Sequence, residues 1–227
     1  MLKIWRVALD DPAHLDPLRL AALDQQEHQC WHSLRKALDA RRYAAAHTAL
    51  RAILASELAC SPSEIQYLHN AWGKPFLAHG PAFSLSHSGP LALIALQSDS
   101  PISEPRSEMS IGIDIELQSQ DTDPSWFADC WSPAEQRRMS QPLSAEQALR
   151  LWVRKEAVLK AVGRGLHLPM SQVVLPLGQS QRMRAISHCE GQSTLWHLYD
   201  IDVGQGQFAA LASHRVYRQP TVMDWLG

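Results

Sequence analysis

The chain has 227 residues, a formal net charge of −2 and a hydrophobic fraction of 45%. This length allows one large domain or two small ones with a sizeable core. The charge argues against nucleic acid as the main partner, because such binding normally needs a strong basic surplus. No apolar run approaches the roughly 18 residues of a membrane span. The four cysteines lack Cys-x-x-Cys spacing, so we expect a reduced, cytoplasmic protein that does not enter a membrane.

The first hundred residues mix strand and helix patterns. Strands are indicated by alternating apolar residues, and helices by apolar residues at a period of 3.6 together with capping residues. The predicted elements are, in chain order, a strand at 1–9, a mostly helical segment at 18–38, a long amphipathic helix with Asp39 as its N-cap, a short helix at 61–69, and paired strands at 83–86 and 91–96.

A segment rich in serine, proline and charge, 98–110, separates this part from the rest and is predicted to be a connector. After it the same mixture returns. The predicted elements are a strand at 110–116, a short helix opened by Ser132-Pro133, a helix at 145–162 and a closing hairpin of 195–203 with 208–213. The sequence therefore predicts an α+β fold built twice, with an N-terminal half at 1–105 and a C-terminal half at 106–227.

The strand at 110–116 carries two acids in an isoleucine-rich alternation. Alternation places the isoleucines on one face and Asp114 and Glu116 on the other. Two carboxylates side by side repel each other, and a hard divalent cation removes that cost; Mg²⁺ typically takes one or two protein carboxylates together with phosphate oxygens. A half-exposed edge strand with solvated acids is the alternative explanation.

The helix at 145–162 is marked at both ends, by a capping box at Ser144 and by Gly163 as a left-handed stop. Glu156 and Lys160 lie one turn apart along the edge of its apolar stripe. They could be an exposed ion pair stabilising the helix by about 0.2 to 0.5 kcal/mol, or Glu156 could be a third acid of the site. A basic surplus at 137–164 suggests an acidic partner nearby, with a solvated helix face as the alternative.

Taken together, the motifs resemble those of the 4′-phosphopantetheinyl transferase superfamily, in particular its larger Sfp type. The matching segments are Gly73-Lys74-Pro75, 83–89, Gly112-Ile113-Asp114-Ile115-Glu116, 131–135 and 152–166. The resemblance implies a monomer of two similar α+β halves related by a pseudo-twofold axis. It also implies transfer of phosphopantetheine from coenzyme A to a serine of an apo acyl, peptidyl or aryl carrier protein, with release of adenosine 3′,5′-bisphosphate.

The resemblance further implies roles for individual residues. Asp114, Glu116 and Glu156 match Mg²⁺ ligands; Glu156 is also the candidate base, directly or through a water, and Lys160 matches a catalytic, phosphate-binding lysine. The residues that match coenzyme A contacts are Arg42, Lys74, Ser86, His87, Lys160 and, with its stem packed and its charge at the rim, Lys155.

The chain departs from the family pattern ahead of the Arg42 helix, where 24–32 offers no lysine or arginine. The 3′-phosphate contact is left to Arg35, Lys36 or Arg41. A catalytically silent module that binds carrier proteins or nucleotides is the rival interpretation, and the full acid set argues against it.

Overall fold

The computed structural model describes residues 1–98, 111–176, 180 and 182–227. The predicted connector at 98–110, apart from Ser98, lies outside these residues. The strands are β1 Leu2–Ala8, β2 Leu68–His69, β3 Pro75–Phe76, β4 Ala82–Ser88, β5 Leu91–Gln97, β6 Ile111–Leu117, β7 Val173–Val174, β8 Arg182–Cys189, β9 Gln192–Ile201, β10 Gln207–Ser213 and β11 Val222–Asp224. The α-helices are α1 Pro17–Leu20, α2 Gln25–Ser33, α3 Ala37–Leu58, α4 Pro133–Arg138 and α5 Ala145–Val162.

Two sheets organise the described residues. The first has the order β11-β1-β5-β4, and the second has the order β6-β10-β9-β8-β7. In each sheet a strand, a long helix and two further strands follow one another along the chain, and the last strand pairs antiparallel between the other two. This holds for β1, α3, β4 and β5 and again for β6, α5, β9 and β10. The mixed α+β class predicted from the sequence is confirmed.

The C-terminal strand departs from a simple division of the chain. β11 pairs parallel with β1, with Ile4 opposite Val222, so residues 222–224 complete the first sheet. The predicted C-terminal half, 106–227, therefore contributes one strand to the other half.

The core has three parts, one between the sheets and one under each long helix. The isoleucines of β6 pack between the sheets with Ile4 and Leu93 of the first sheet. α3 covers the outer face of the first sheet, and α5 covers the outer face of the second. Because side chains alternate along a strand, the even-numbered residues of β6 face α5. The predicted alternation of this strand is thus confirmed, and its acidic face lies under a helix.

The helix that carries Glu156 is predicted correctly at both ends. α5 runs from Ala145 to Val162, Ser144 and Gln147 form the capping box, and Gly163 ends the helix with φ at 78°. The long helix of the first half begins at Ala37 with Lys36 as N-cap, so the prediction of Asp39 as N-cap is wrong by three positions.

The helix predicted at 61–69 is wrong beyond its first turn. The capping box forms, but the helical turn spans only Pro62–Glu64 and the chain then continues to β2. Arg51 donates to the carbonyl oxygens of Pro62 and Ile65, each at 3.0 Å. Ile65 is buried in the core. In a longer helix these carbonyl oxygens would accept backbone hydrogen bonds of the helix instead, and the side chain of Ile65 would point away from the core.

We expect Gly112→Ala to be strongly destabilising. A Cβ at this position would lie 2.1 Å from the carbonyl oxygen of Ala157 and 2.4 Å from the backbone nitrogen of Ala161, both in α5. Both atoms are backbone, so the helix itself would have to move. The expected loss in the free energy of unfolding is about 3 kcal/mol, measured by chemical denaturation. A stability equal to the parent's would mean that α5 can shift at no cost.

Among the described residues, no helix combines the length and the apolar character that crossing a membrane requires.

Candidate active site

An acid and a lysine meet where β4, β6 and α5 come together. The ammonium of Lys160 donates to Asp114 Oδ1 and to Ser86 Oγ, each at 2.7 Å. The Ser86 hydroxyl donates to the same Oδ1 at 2.8 Å. Asp114 is 3% exposed. The fold thus brings together three residues that the sequence places in three separate motifs.

The second carboxylate oxygen of Asp114, Oδ2, is buried without a hydrogen-bond partner among the described residues. Leaving a buried charged acceptor unsatisfied costs at least about 1 to 3 kcal/mol. A carboxylate oxygen held in this way is suited to a hard cation.

Glu116 and Glu156 complete the acidic face. Burial raises the pKa of Glu116, and the charge of Asp114 raises it further, while a 2.8 Å hydrogen bond from Ser88 and the charge of Lys160 oppose the change. Burial, then the charges of Asp114 and Glu116, raise the pKa of Glu156 to about 7 against the opposing charge of Lys160. The charge of Asp114 thus acts on Glu116, and both of these charges act on Glu156; a divalent cation relieves such repulsion.

The donor set fits Mg²⁺ in chemistry, because it consists of hard oxygens with one of them unpartnered. Within the described ranges, however, no three histidine, cysteine, aspartate or glutamate side chains converge as a ready-made metal centre. The fit rests on the carboxylates of Asp114, Glu116 and Glu156 and on the buried Oδ2.

Three serines of β4 join the two sheets along a line that we call the serine seam. Each hydroxyl accepts a hydrogen bond from a backbone N–H of β6. The pairs are Ser84 with Ile113 at 3.1 Å, Ser86 with Ile115 at 3.4 Å and Ser88 with Leu117 at 3.0 Å. Ser86 and Ser88 also donate to the acids, so the seam aims Asp114 and Glu116 while it holds the sheets together.

His87 lies on the other face of β4, toward α3. Desolvation lowers the pKa of its imidazole, and the charges of His47 and Lys160 lower it further. Arg42 also acts on this ring, but its guanidinium forms a two-point ion pair with Asp10, both contacts at 2.8 Å. Arg42, a residue of α3, and His87 therefore lie on the same side of the acid cluster, the side toward α3.

The structure places Lys155 differently from the prediction. Its side chain is fully buried, and its ammonium donates to Glu135 Oε2 at 2.7 Å, to the Met170 carbonyl at 3.1 Å and to the Val173 carbonyl. The prediction that its charge lies at the rim of a coenzyme site is wrong. Position 155 faces the second sheet, and Glu135 supplies the counter-charge inside the core.

Lys74 is also engaged by protein atoms. Its ammonium donates to the carbonyl oxygens of Ile111 at 3.0 Å and of Lys160 at 2.6 Å. Two of its three N–H donors are thus used within the protein, and the predicted coenzyme contact stays a prediction.

The basic surplus at 137–164 is mostly neutralised within the fold. Acids distant in sequence pair with five of its seven cations: Asp200 with Arg150 and Arg154, Glu135 with Lys155, Asp114 with Lys160 and Glu190 with Arg164. Arg137 and Arg138 are exposed and form no ion pair with another described residue. The patch available to an acidic partner is smaller than the sequence indicates.

Sequence reasoning missed three residues that support the site. Ser88 and Glu135 lie inside recognised motifs, and the period-two repeat of serines in β4 was a usable signal for Ser88. Asn70, which donates to the carbonyl of Gly163 at 2.7 Å, carries no such signal because its partner lies 93 residues away.

Fold and site together define a class: a mixed α+β protein with three interacting carboxylates and a lysine where two sheets meet. A family model described as the 4′-phosphopantetheinyl transferase superfamily matches residues 110–213. The 4′-phosphopantetheinyl transferase HetI of Nostoc sp. is 30% identical over 172 residues, which are 72% of this chain and 69% of HetI. The chain therefore belongs to the 4′-phosphopantetheinyl transferase superfamily.

Two further relatives agree with this assignment. The L-aminoadipate-semialdehyde dehydrogenase-phosphopantetheinyl transferase of Schizosaccharomyces pombe is 32% identical over 143 residues, covering 57% of this chain and 54% of the relative. A 4′-phosphopantetheinyl transferase of Bacillus subtilis is 27% identical over 177 residues, covering 74% of each. The enzyme class predicted from the sequence, a 4′-phosphopantetheinyl transferase, is confirmed.

Proposed function

We propose that the protein transfers the 4′-phosphopantetheine group of coenzyme A to a serine hydroxyl of apo acyl, peptidyl or aryl carrier proteins and releases adenosine 3′,5′-bisphosphate. We assign it to the Sfp type, with halves at 1–105 and 106–227 related by a pseudo-twofold axis. The repeated order of strand, helix and two strands in the two sheets supports this division.

The observation that carries the proposal is the cluster of Glu156, Asp114 and Glu116 around Lys160. Phosphoryl transfer needs positive charge at the phosphate oxygens and a base for the attacking hydroxyl. Lys160 is already oriented by Asp114 and Ser86, and an ammonium suits a phosphate as a point charge.

Glu156 is the residue suited to accept the proton of the carrier serine. Without metal its pKa is raised to about 7, so the carboxylate is substantially ionised at neutral pH and basic enough to take a proton. Ordinary exposed glutamates titrate near pH 4.3 and are weaker bases. Burial beside two other acids thus gives Glu156 a strength that the exposed ion pair considered from the sequence would not provide.

Mg²⁺ would be held by Asp114, Glu116 and Glu156, and it would supply positive charge that neutralises the diphosphate and stabilises the leaving bisphosphate. The protein's own part is to hold these acids close together in spite of their repulsion. Ser86 and Ser88 do this by donating one hydrogen bond each to Asp114 and Glu116.

The nucleotide part of coenzyme A would lie toward α3, with its 3′-phosphate near His87 and Arg42. Arg42 would exchange Asp10 for the phosphate, at small cost because Asp10 is half exposed and such pairs contribute only about 0 to 1 kcal/mol. Ser86 would contribute indirectly, through its hydrogen bonds with Asp114 and Lys160. The amines of Lys74 and Lys155 donate hydrogen bonds to protein atoms.

The test is incubation of the purified protein with coenzyme A and Mg²⁺ in the presence of several apo carriers, from fatty acid, polyketide and nonribosomal peptide synthesis. Intact-mass spectrometry should show one phosphopantetheine added per carrier, and the reaction should stop with a chelator or when the carrier serine is replaced by alanine. A protein that binds carriers and coenzyme A yet modifies no carrier would contradict the proposal.

A further inference from the structure

A loop of the first half closes the C-terminal end of α5. Asn70 Nδ2 donates to the carbonyl of Gly163 at 2.7 Å, and Lys74 Nζ donates to the carbonyl of Lys160 at 2.6 Å. The last carbonyls of a helix have no partner within the helix. Here two side chains from 86 and 93 positions earlier in the chain supply the missing donors.

The loop is built so that these donors are fixed in place. Asn70 Oδ1 accepts from the backbone N–H groups of Trp72 and Lys74, both at 2.9 Å, so both ends of the amide are used. The backbone N–H of Asn70 donates to the Lys74 carbonyl, and Gly73 makes the turn with φ at 85°. Arg164, just past the helix, lies over the Trp72 ring at 4.8 Å.

Lys74 also reaches the strand that carries the acids. Its ammonium donates to the carbonyl of Ile111, the first residue of β6, at 3.0 Å. One cation therefore joins the helix turn that bears Lys160 to the strand that bears Asp114. A positive charge is favourable at a helix C-terminus, where the dipole is negative. Burial and the charge of Lys160 lower the pKa of Lys74 to about 8, in agreement with an enclosed amine.

We propose that Asn70 and Lys74, from the first half, are positioning residues that hold Lys160 in contact with Asp114 within the second half, and that the Lys74 amine does not bind coenzyme A. The contact they secure is the 2.7 Å bond between Lys160 Nζ and Asp114 Oδ1. The inference rests on the proposed function for its kinetic test, and hydrogen exchange tests it without any activity.

The variants Lys74→Met and Asn70→Ala each remove one arm of this clamp. Both should lower kcat by about 10- to 100-fold, because misplacing a catalytic group by about 1 Å can cost 100-fold, and both should leave the KM for coenzyme A unchanged. Amide hydrogen exchange in segment 159–166 should become faster in each variant. Lys74→Arg keeps a cationic donor and should restore part of kcat and of the protection.

Ala71→Ser, an exposed change in the same loop, is the matched control and should alter neither kcat nor the amide exchange of segment 159–166. If Lys74→Met raises the KM for coenzyme A at constant kcat while Asn70→Ala behaves like the parent, Lys74 is a coenzyme ligand and the proposal is wrong. Unchanged exchange in segment 159–166 of both variants would also overturn it. A parent protein without transferase activity would refute the proposed function, and the exchange measurement would still decide on the clamp.

Discussion

Replacing Glu156 by glutamine should lower kcat by about 10²- to 10⁴-fold, the range for removal of a general base. Glutamine keeps the size of the side chain and removes its charge and basicity. In the parent at saturating Mg²⁺, kcat should fall at acidic pH as the Glu156 carboxylate becomes protonated, at a pH below about 7, because the raised pKa of about 7 is that of the metal-free site and a bound cation lowers it. The measurement is the turnover of an apo carrier at saturating Mg²⁺ between pH 5.5 and 8.5.

The same variant should fold at least as well as the parent. The pKa of Glu156 is raised from 4.5 to about 7 on folding. Between these two pH values the folded state therefore keeps a proton on Glu156 that the unfolded state has released. The stability from this group is therefore fully present below pH 4.5 and is lost as the pH rises through about 7. With metal chelated, Glu156→Gln should melt above the parent at pH 8, and the difference should shrink toward pH 5.

Glu190→Gln is the matched control for this change. Glu190 pairs with Arg164 at 2.8 Å and is 71% exposed at its side chain, so the same chemical change should leave turnover intact. Near-normal turnover in a well-folded Glu156→Gln protein would show that Glu156 is not the general base.

Replacing Lys155 by methionine should destabilise the protein by about 3 to 5 kcal/mol, the usual cost of removing one partner of a buried ion pair. Glu135 is 1% exposed and would keep only its backbone donors, the N–H groups of Ser132 and Leu175. The carbonyls of Met170 and Val173 would lose a donor as well. Chemical denaturation measures the loss.

Kinetics of the folded fraction separate this structural role from the one that the sequence predicted. Lys155→Met should leave the KM for coenzyme A unchanged, whereas a lysine at the rim of the coenzyme site would raise it and leave stability intact. Arg138→Met is the control, because an exposed cation without an ion pair to a described residue should alter stability by no more than about 0.5 kcal/mol.

The comparison of Glu156 with Lys155 shows what local sequence patterns can predict. Capping at Ser144 and the stop at Gly163 fix the ends of α5, and alternation fixes the acidic face of β6, because these signals act over a few residues. The burial of the Lys155 ammonium depends on Glu135, which only the tertiary fold brings beside it.

The same limit explains the errors in the first half and in the charge pattern. The helix predicted at 61–69 stops because Arg51, a residue of another helix, binds two of its carbonyls. The basic surplus at 137–164 shrinks because Asp200 and Glu190 lie far away in sequence. In both cases a long-range partner overrides a correct local signal.

The serine seam also affects how the protein behaves toward other chains. β4 and β6 are edge strands of their sheets, and an edge strand offers unpaired backbone groups on which another chain can add a strand. Hydroxyls of Ser84, Ser86 and Ser88 occupy three such N–H groups of β6, and the two edges cover each other. Side chains that orient the acids therefore also protect the protein from aggregation by edge pairing.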